Sequence, residues 1–146
     1  RTGMPEDVRV KKIAGHAVLM AQSGQYNVSR CRRHGEEAAA RLACCEFVNH
    51  TLAMLFLLNE RHMPFYKWAF RAAKELPKLS EIIPTLEALL REPDEDTIER
   101  VSAAVIEELR AQGLTDGGWD FLEPHAYAVM RRIRNPEIAA LHIMEV

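Results

Sequence analysis

The run EEAAARLACCEFVNHTLAMLFLLN, from Glu36 to Asn59, decides the fold. Leu42, Cys45, Val48, Leu52, Leu55 and Phe56 recur at helical spacing, and further apolar residues nearly surround them. A helix apolar on most of its sides is a central one that neighbours must cover. Arg41, Glu46, Asn49 and His50 interrupt the run, which argues for a buried core helix rather than a membrane span.

The flanking sequence supplies the covering helices. Upstream, Pro5, Glu6 and Asp7 suit a helix start, and Val10, Ile13, Ala14, Ala17, Val18 and Ala21 form an amphipathic stripe to about Ser23, where Gly24 is expected to end it. Asn27 is read as the cap of a short segment through the Arg-rich stretch Arg30 to Arg33, interrupted at Gly35. Downstream, Phe65 to Leu76 reads as a helix ended by Pro77. Phe65, Trp68, Ala69, Ala72 and Leu76 are expected to face the core. Ser80 is read as the cap of a helix to about Arg91, and Asp94 or Asp96 opens another that Gly113 ends. Asp120 and Glu123 have the form of a capping box for a helix to about Ile133, and Asn135-Pro136-Glu137 opens a last short one. No window alternates with period two. The expected class is therefore all-α: an up-and-down antiparallel helical bundle of four to five main helices plus short extra ones, in a single domain over residues 1–146.

Composition agrees. Apolar residues make up 48% and charged residues 27% of the chain, the balance of a globular protein rather than a disordered one. The net charge of -2 gives no general attraction to nucleic acid, which is not expected as a partner; nor is a membrane. The charge is uneven, however. Residues 1–78 carry thirteen Lys/Arg and seven Asp/Glu, and residues 79–146 carry six and fourteen, a net of +6 against -8. Either the first half offers a basic surface or the halves pair in the fold. Cys31, Cys44 and Cys45 are too few for a disulfide framework, and the adjacent pair reads as small buried hydrophobes. A cytoplasmic location is the expectation. Arg1 rather than Met stands first, so the domain is expected to be the C-terminal part of a longer chain.

The chemistry-bearing residues form no complete catalytic motif. Asp94, Asp96 and Glu99 have the spacing of Mg²⁺ ligands, but their place before an amphipathic helix reads as capping and dipole complementation. The six histidines show no metal-binding spacing, and His50 reads as a hydrogen-bonded core residue; no metal site is expected. Arg9 and His16 are loosely similar to the Arg-x(4–6)-His of small helical ribonucleases, a match that chance supplies among fourteen arginines. The most informative stretch runs from Asn59 to Arg71. Lys67, Arg71 and Lys74 share one helix face, giving a basic ridge backed by Tyr66 and Trp68.

Gly24-Gln25-Tyr26-Asn27 with Arg30, Arg33-His34-Gly35-Glu36, Leu57-Leu58-Asn59, Pro64-Phe65-Tyr66-Lys67-Trp68 with Arg71, and Glu75-Leu76-Pro77 resemble a bacterial family known as domain of unknown function 4037. The resemblance covers about residues 20–80. It implies the C-terminal helical domain of a nucleotidyltransferase-like protein, similar to the helical domain of kanamycin nucleotidyltransferase. It also implies an upstream nucleotidyltransferase domain as partner, with Mg²⁺ and nucleoside triphosphate belonging there and no cofactor in this chain. The candidate ligand-binding residues are Asn27, Arg30, Asn59, Tyr66, Lys67, Trp68 and Arg71, with Lys67 and Arg71 on phosphate or carboxylate, Tyr66 or Trp68 on a ring, and Asn59 as a hydrogen-bond partner. The ligand is expected to be a small molecule or nucleotide. The alternative is a non-enzymatic interaction or homodimerisation module.

Overall fold

The computed structural model describes residues 3–146; Arg1 lies outside them. It is all-helical, with no strand among the described residues. The elements are α1 (Glu6–Met20), a π-helical segment (Ala21–Val28), α2 (Ser29–Arg33), α3 (Glu37–Leu58), α4 (Tyr66–Ala73), a 3-10 turn (Ser80–Ile82), α5 (Ile83–Arg91), α6 (Glu95–Ala111), α7 (Leu122–Met130) and α8 (Pro136–Ala139).

The central helix is α3. It packs against α1, the π-helical segment, α2, α4 and α5, while α1 also packs against α7. Among the described residues it is the one helix long and apolar enough, by length and composition alone, to cross a membrane. Here Phe47, Met54, Leu55 and Leu58 are buried against those neighbours. Its first half departs from the expected stripe. Leu42 is 70% exposed and Cys45 is also exposed, whereas Cys44 is buried and donates to the Leu89 carbonyl. The covering helices reach only one side of this end of α3.

Gly24 does not end α1. The backbone runs without a break from Glu6 to Arg33, passing through a π-helical stretch in which Asn27 is an internal residue and not a cap. A π-helix arises where the helical hydrogen-bond ladder shifts by one residue. What Gly24 provides is proximity: a Cβ at that position would lie 2.7 Å from Phe47 Cγ, inside the space that this fully buried ring occupies. The wide segment is thereby laid directly on α3.

Most other punctuation is as the sequence implies. Asp94 caps α6 by accepting from the Thr97 N–H at 2.9 Å, Asn135 caps α8 by accepting from Glu137 and Ile138, and Gly113 ends α6 at φ 72°. Two caps differ. Ser80 lies in the 3-10 turn before α5 and makes no capping bond. The start of α7 is served by neither Asp120 nor Glu123: the side chain of Gln25, from the π-helical segment, accepts from the Leu122 N–H at 2.8 Å. A long-range partner occupies the role that the capping box would have filled.

Part of the charge asymmetry is met inside the fold. Arg32 and Arg41 pair with Glu92 at 3.3 and 3.1 Å, Lys74 with Glu87 at 3.5 Å and Lys78 with Glu108 at 3.8 Å, each joining the basic first half to the acidic second. Exposed pairs of this kind contribute little individually, so the register of the bundle rests on its packing. Gly24→Ala is accordingly expected to lower stability by about 1–3 kcal/mol, the usual cost of overpacking a buried contact. Urea denaturation of the two proteins measures it, and an unchanged midpoint would show that the segment does not bear on Phe47.

Candidate functional site

α4 begins after a proline-containing segment and is held to the core by small residues. Ala69, Ala73 and Leu76 are buried. Phe65 and Trp68, expected to point inward, do not: Phe65 is 68% exposed and Trp68 47%, beside Tyr66 at 75%. The alanines let α4 lie close to α3, and that close approach leaves no room beneath it for the aromatic rings. The rings are organised all the same. Phe65 and Tyr66 meet with ring centroids 4.6 Å apart and planes tilted by 50°, while Lys67 Nζ and the Arg71 guanidinium stand over the Trp68 indole at 5.3 and 5.2 Å. Each cation is drawn to the electron-rich ring face. Lys74 leaves the ridge to pair with Glu87.

The other candidates sit elsewhere or are engaged. Asn59 is the C-cap residue of α3, and its side chain donates to the carbonyls of Leu55 and Lys78 and accepts from the Lys78 N–H, at 2.8 to 3.0 Å. That is a structural clasp, which leaves little capacity for a ligand. Arg30 donates to the Tyr26 hydroxyl at 2.7 Å and lies over its ring. Asn27 and Tyr26 border a surface cavity of about 350 Å³ with Gln22 and Glu123. No hydrogen bond, ion pair or ring contact among the described residues joins this π-helical group to the α4 ridge. The ridge of Tyr66, Lys67, Trp68 and Arg71 therefore stands as a unit of its own.

The remaining polar chemistry is mostly structural. Arg9 is buried, donating to the Leu57 carbonyl at 2.9 Å and pairing with Glu6 at 3.0 Å, which leaves nothing for a ribonuclease-like role beside His16. His125 is fully buried; it accepts from the Thr115 hydroxyl at Nδ1, and its Nε2–H donates to the Trp119 carbonyl at 2.7 Å. Burial pushes the Cys44 thiol up to about 11, so it is no nucleophile at neutral pH. The Asp94 carboxyl, held below its ordinary value by the Thr97 hydroxyl and N–H, is a cap. No group of three or more His, Cys, Asp and Glu among the described residues could hold a metal ion.

One arrangement was invisible in the sequence. His16 of α1 and His50 of α3 meet Nδ1 to Nδ1 at 3.0 Å, their rings tilted at 47°. The two lie 34 positions apart and share no motif. Such a bond requires one ring to donate and the other to accept, so the accepting ring is neutral. Burial, reinforced by His50, Lys12 and Lys11, pushes His16 down to about 4, and burial lowers His50 as well.

Residues 2–69 match the family model described as Domain of unknown function (DUF4037). The matched segment covers a little under half of the 146 residues, from the start of the chain through α3 and into α4. Tyr66, Lys67 and Trp68 fall inside the DUF4037 match, and Arg71 falls beyond it. No curated protein and no solved structure matches the chain.

The His16–His50 pair sets an acid limit on the fold. Below its ordinary value of 6.5 an exposed histidine in the unfolded chain takes up a proton that folded His16 refuses until about pH 4. The unfolded state thus binds more protons in this window, and stability falls as the pH falls from about 6.5 to 4. Thermal denaturation across that range is expected to show a declining midpoint, and His16→Gln is expected to flatten the decline. Parallel curves for the two proteins would remove His16 from the account.

Proposed function

We propose that this chain is the non-catalytic, helical ligand-binding part of a nucleotidyltransferase-like protein, and that the α4 ridge is one wall of its ligand site. The observation carrying the reading is Trp68, half exposed, with Lys67 and Arg71 both held over its indole and with Tyr66 and Phe65 bare beside it. Exposed aromatics in a contiguous group mark surfaces that meet something. Cations beside them favour a partner with negative charge and a flat apolar face, the chemistry of a nucleotide. A polycationic substrate such as an aminoglycoside would be repelled by this wall. The ridge supplies one wall only, and the opposite wall belongs to the catalytic domain, which also holds Mg²⁺ and the nucleoside triphosphate.

The exposed rings of Phe65, Tyr66 and Trp68 also favour a second reading, in which the same ridge docks another protein surface or a second copy of this chain. The two separate in solution. Under the first, nucleoside triphosphate titrated into the chain shifts the Trp68 indole N–H signal saturably. Lys67→Ala with Arg71→Ala abolishes the shift while stability changes by less than about 0.5 kcal/mol, as for most surface substitutions. Under the second, nucleotide has no effect, and sedimentation shows a concentration-dependent dimer that Tyr66→Ser with Trp68→Ser disperses. Unfolding of the Lys67/Arg71 double variant would make those residues structural and end the ligand reading.

A further inference from the structure

We propose that the cavity between α1, the C-terminal half of α3 and residues 61–63 is a binding site for a phosphate monoester, separate from the α4 ridge. The cavity holds about 240 Å³ and is lined by Lys12, His16, Arg61 and His62 around an apolar floor that includes Phe56 and Leu57. No carboxylate lines it among the described residues.

The charges there are unspent. Arg9, Lys11, Arg32, Arg41, Lys74, Lys78 and Arg110 all have carboxylate or carbonyl partners. The side chains of Lys12, Arg61 and His62 have no hydrogen-bond or ion-pair partner among the described residues. Basic groups gathered without a counter-charge around a cavity repel one another, and an anion relieves that repulsion. The apolar floor strengthens the attraction by excluding water.

The types of donor select phosphate. A guanidinium matches two phosphate oxygens at once, and an ammonium adds a compact point charge. The histidine pair adds a switchable donor. When His16 accepts from His50 at Nδ1, its proton must sit on Nε2, which is then available to a ligand oxygen. When His16 donates instead, its Nε2 is a bare acceptor that a phosphate would oppose. Phosphate therefore selects the first tautomer, and the lowered proton affinity of His16 keeps the ring neutral at physiological pH. The groups bearing on the pair are Lys11 and Lys12 from α1, Glu46 from α3, and Arg61 and His62 from the cavity rim. The cavity exceeds the needs of a bare phosphate ion, and its floor suits a small apolar substituent on the ester.

The test is a titration of the intact chain with phenyl phosphate and with inorganic phosphate, at fixed ionic strength and pH 7, followed by nitrogen-15 spectra of the histidine rings. Saturable binding of phenyl phosphate, tighter than inorganic phosphate, is expected, with His16 moving to its Nε2–H form. Arg61→Gln and Lys12→Gln are each expected to weaken binding about tenfold or more, the scale of a lost charge-assisted hydrogen bond. Both residues reach solvent, so the melting temperature should hold; Arg61→Lys, which keeps the charge and loses the fork, should fall between. Lys67→Ala with Arg71→Ala should leave the His16 response to phenyl phosphate in place, which separates this site from the ridge. Absence of saturation, an unmoved His16 tautomer, or binding that survives both glutamine variants would each overturn the proposal.

Discussion

The ring of Phe47 against the bare backbone of Gly24 sets the geometry on which the bundle depends. α3 is apolar on most sides and must be covered, and the first covering layer is the continuous helix from Glu6 to Arg33. That helix widens to π geometry where it meets Phe47, and Gly24 removes the side chain that would hold it off. The same widened segment places Gln25 where it can cap α7 and bond Glu99 of α6. One close approach thus fixes the positions of two later helices. This explains why α7, whose N-cap Phe121 has no capping side chain, still begins where it does.

The electrostatics follow from this packing. With the two halves folded onto one another, some of their opposite charges meet in pairs. Cations without a carboxylate partner include the Lys67–Arg71 pair over Trp68, the rim formed by Lys12, Arg61 and His62, and Arg30 and Arg33 on the exposed end of the first helix. The first two groups lie near the short connection between α3 and α4. The two proposed sites thus share one end of the central helix.

Much of the fold was legible, and the reasons for the exceptions are physical. The all-helical class, the central helix, the helix starts at Asp94 and Asn135 and the stop at Gly113 rest on periodicity and local capping chemistry, which act over a few residues. Gly24 misled because a glycine that ends a helix and a glycine that admits a neighbouring ring are alike in one dimension. The Asp120–Glu123 pattern misled because Gln25, almost a hundred residues away, took its place. Leu42, Phe65 and Trp68 were assigned inward by helical spacing, yet spacing cannot say whether a neighbour reaches that far along the helix. At the site, the basic–aromatic character of the α4 ridge was readable from residues 66–71. The clasp formed by Asn59 and the meeting of His16 with His50 depend on tertiary approach and left no local trace.

The clasp has its own consequence. Asn59 grips the backbone of Lys78 by both its N–H and its carbonyl, so the chain leaves and rejoins the bundle at a single point. Everything between, α4 included, is an excursion that touches the core through Ala69, Phe70, Ala72, Ala73 and Leu76. Such a segment behaves as a cassette. Its outward residues can be exchanged wholesale for others without re-engineering the scaffold that carries them, and related chains could present quite different surfaces at this position while keeping the same bundle beneath.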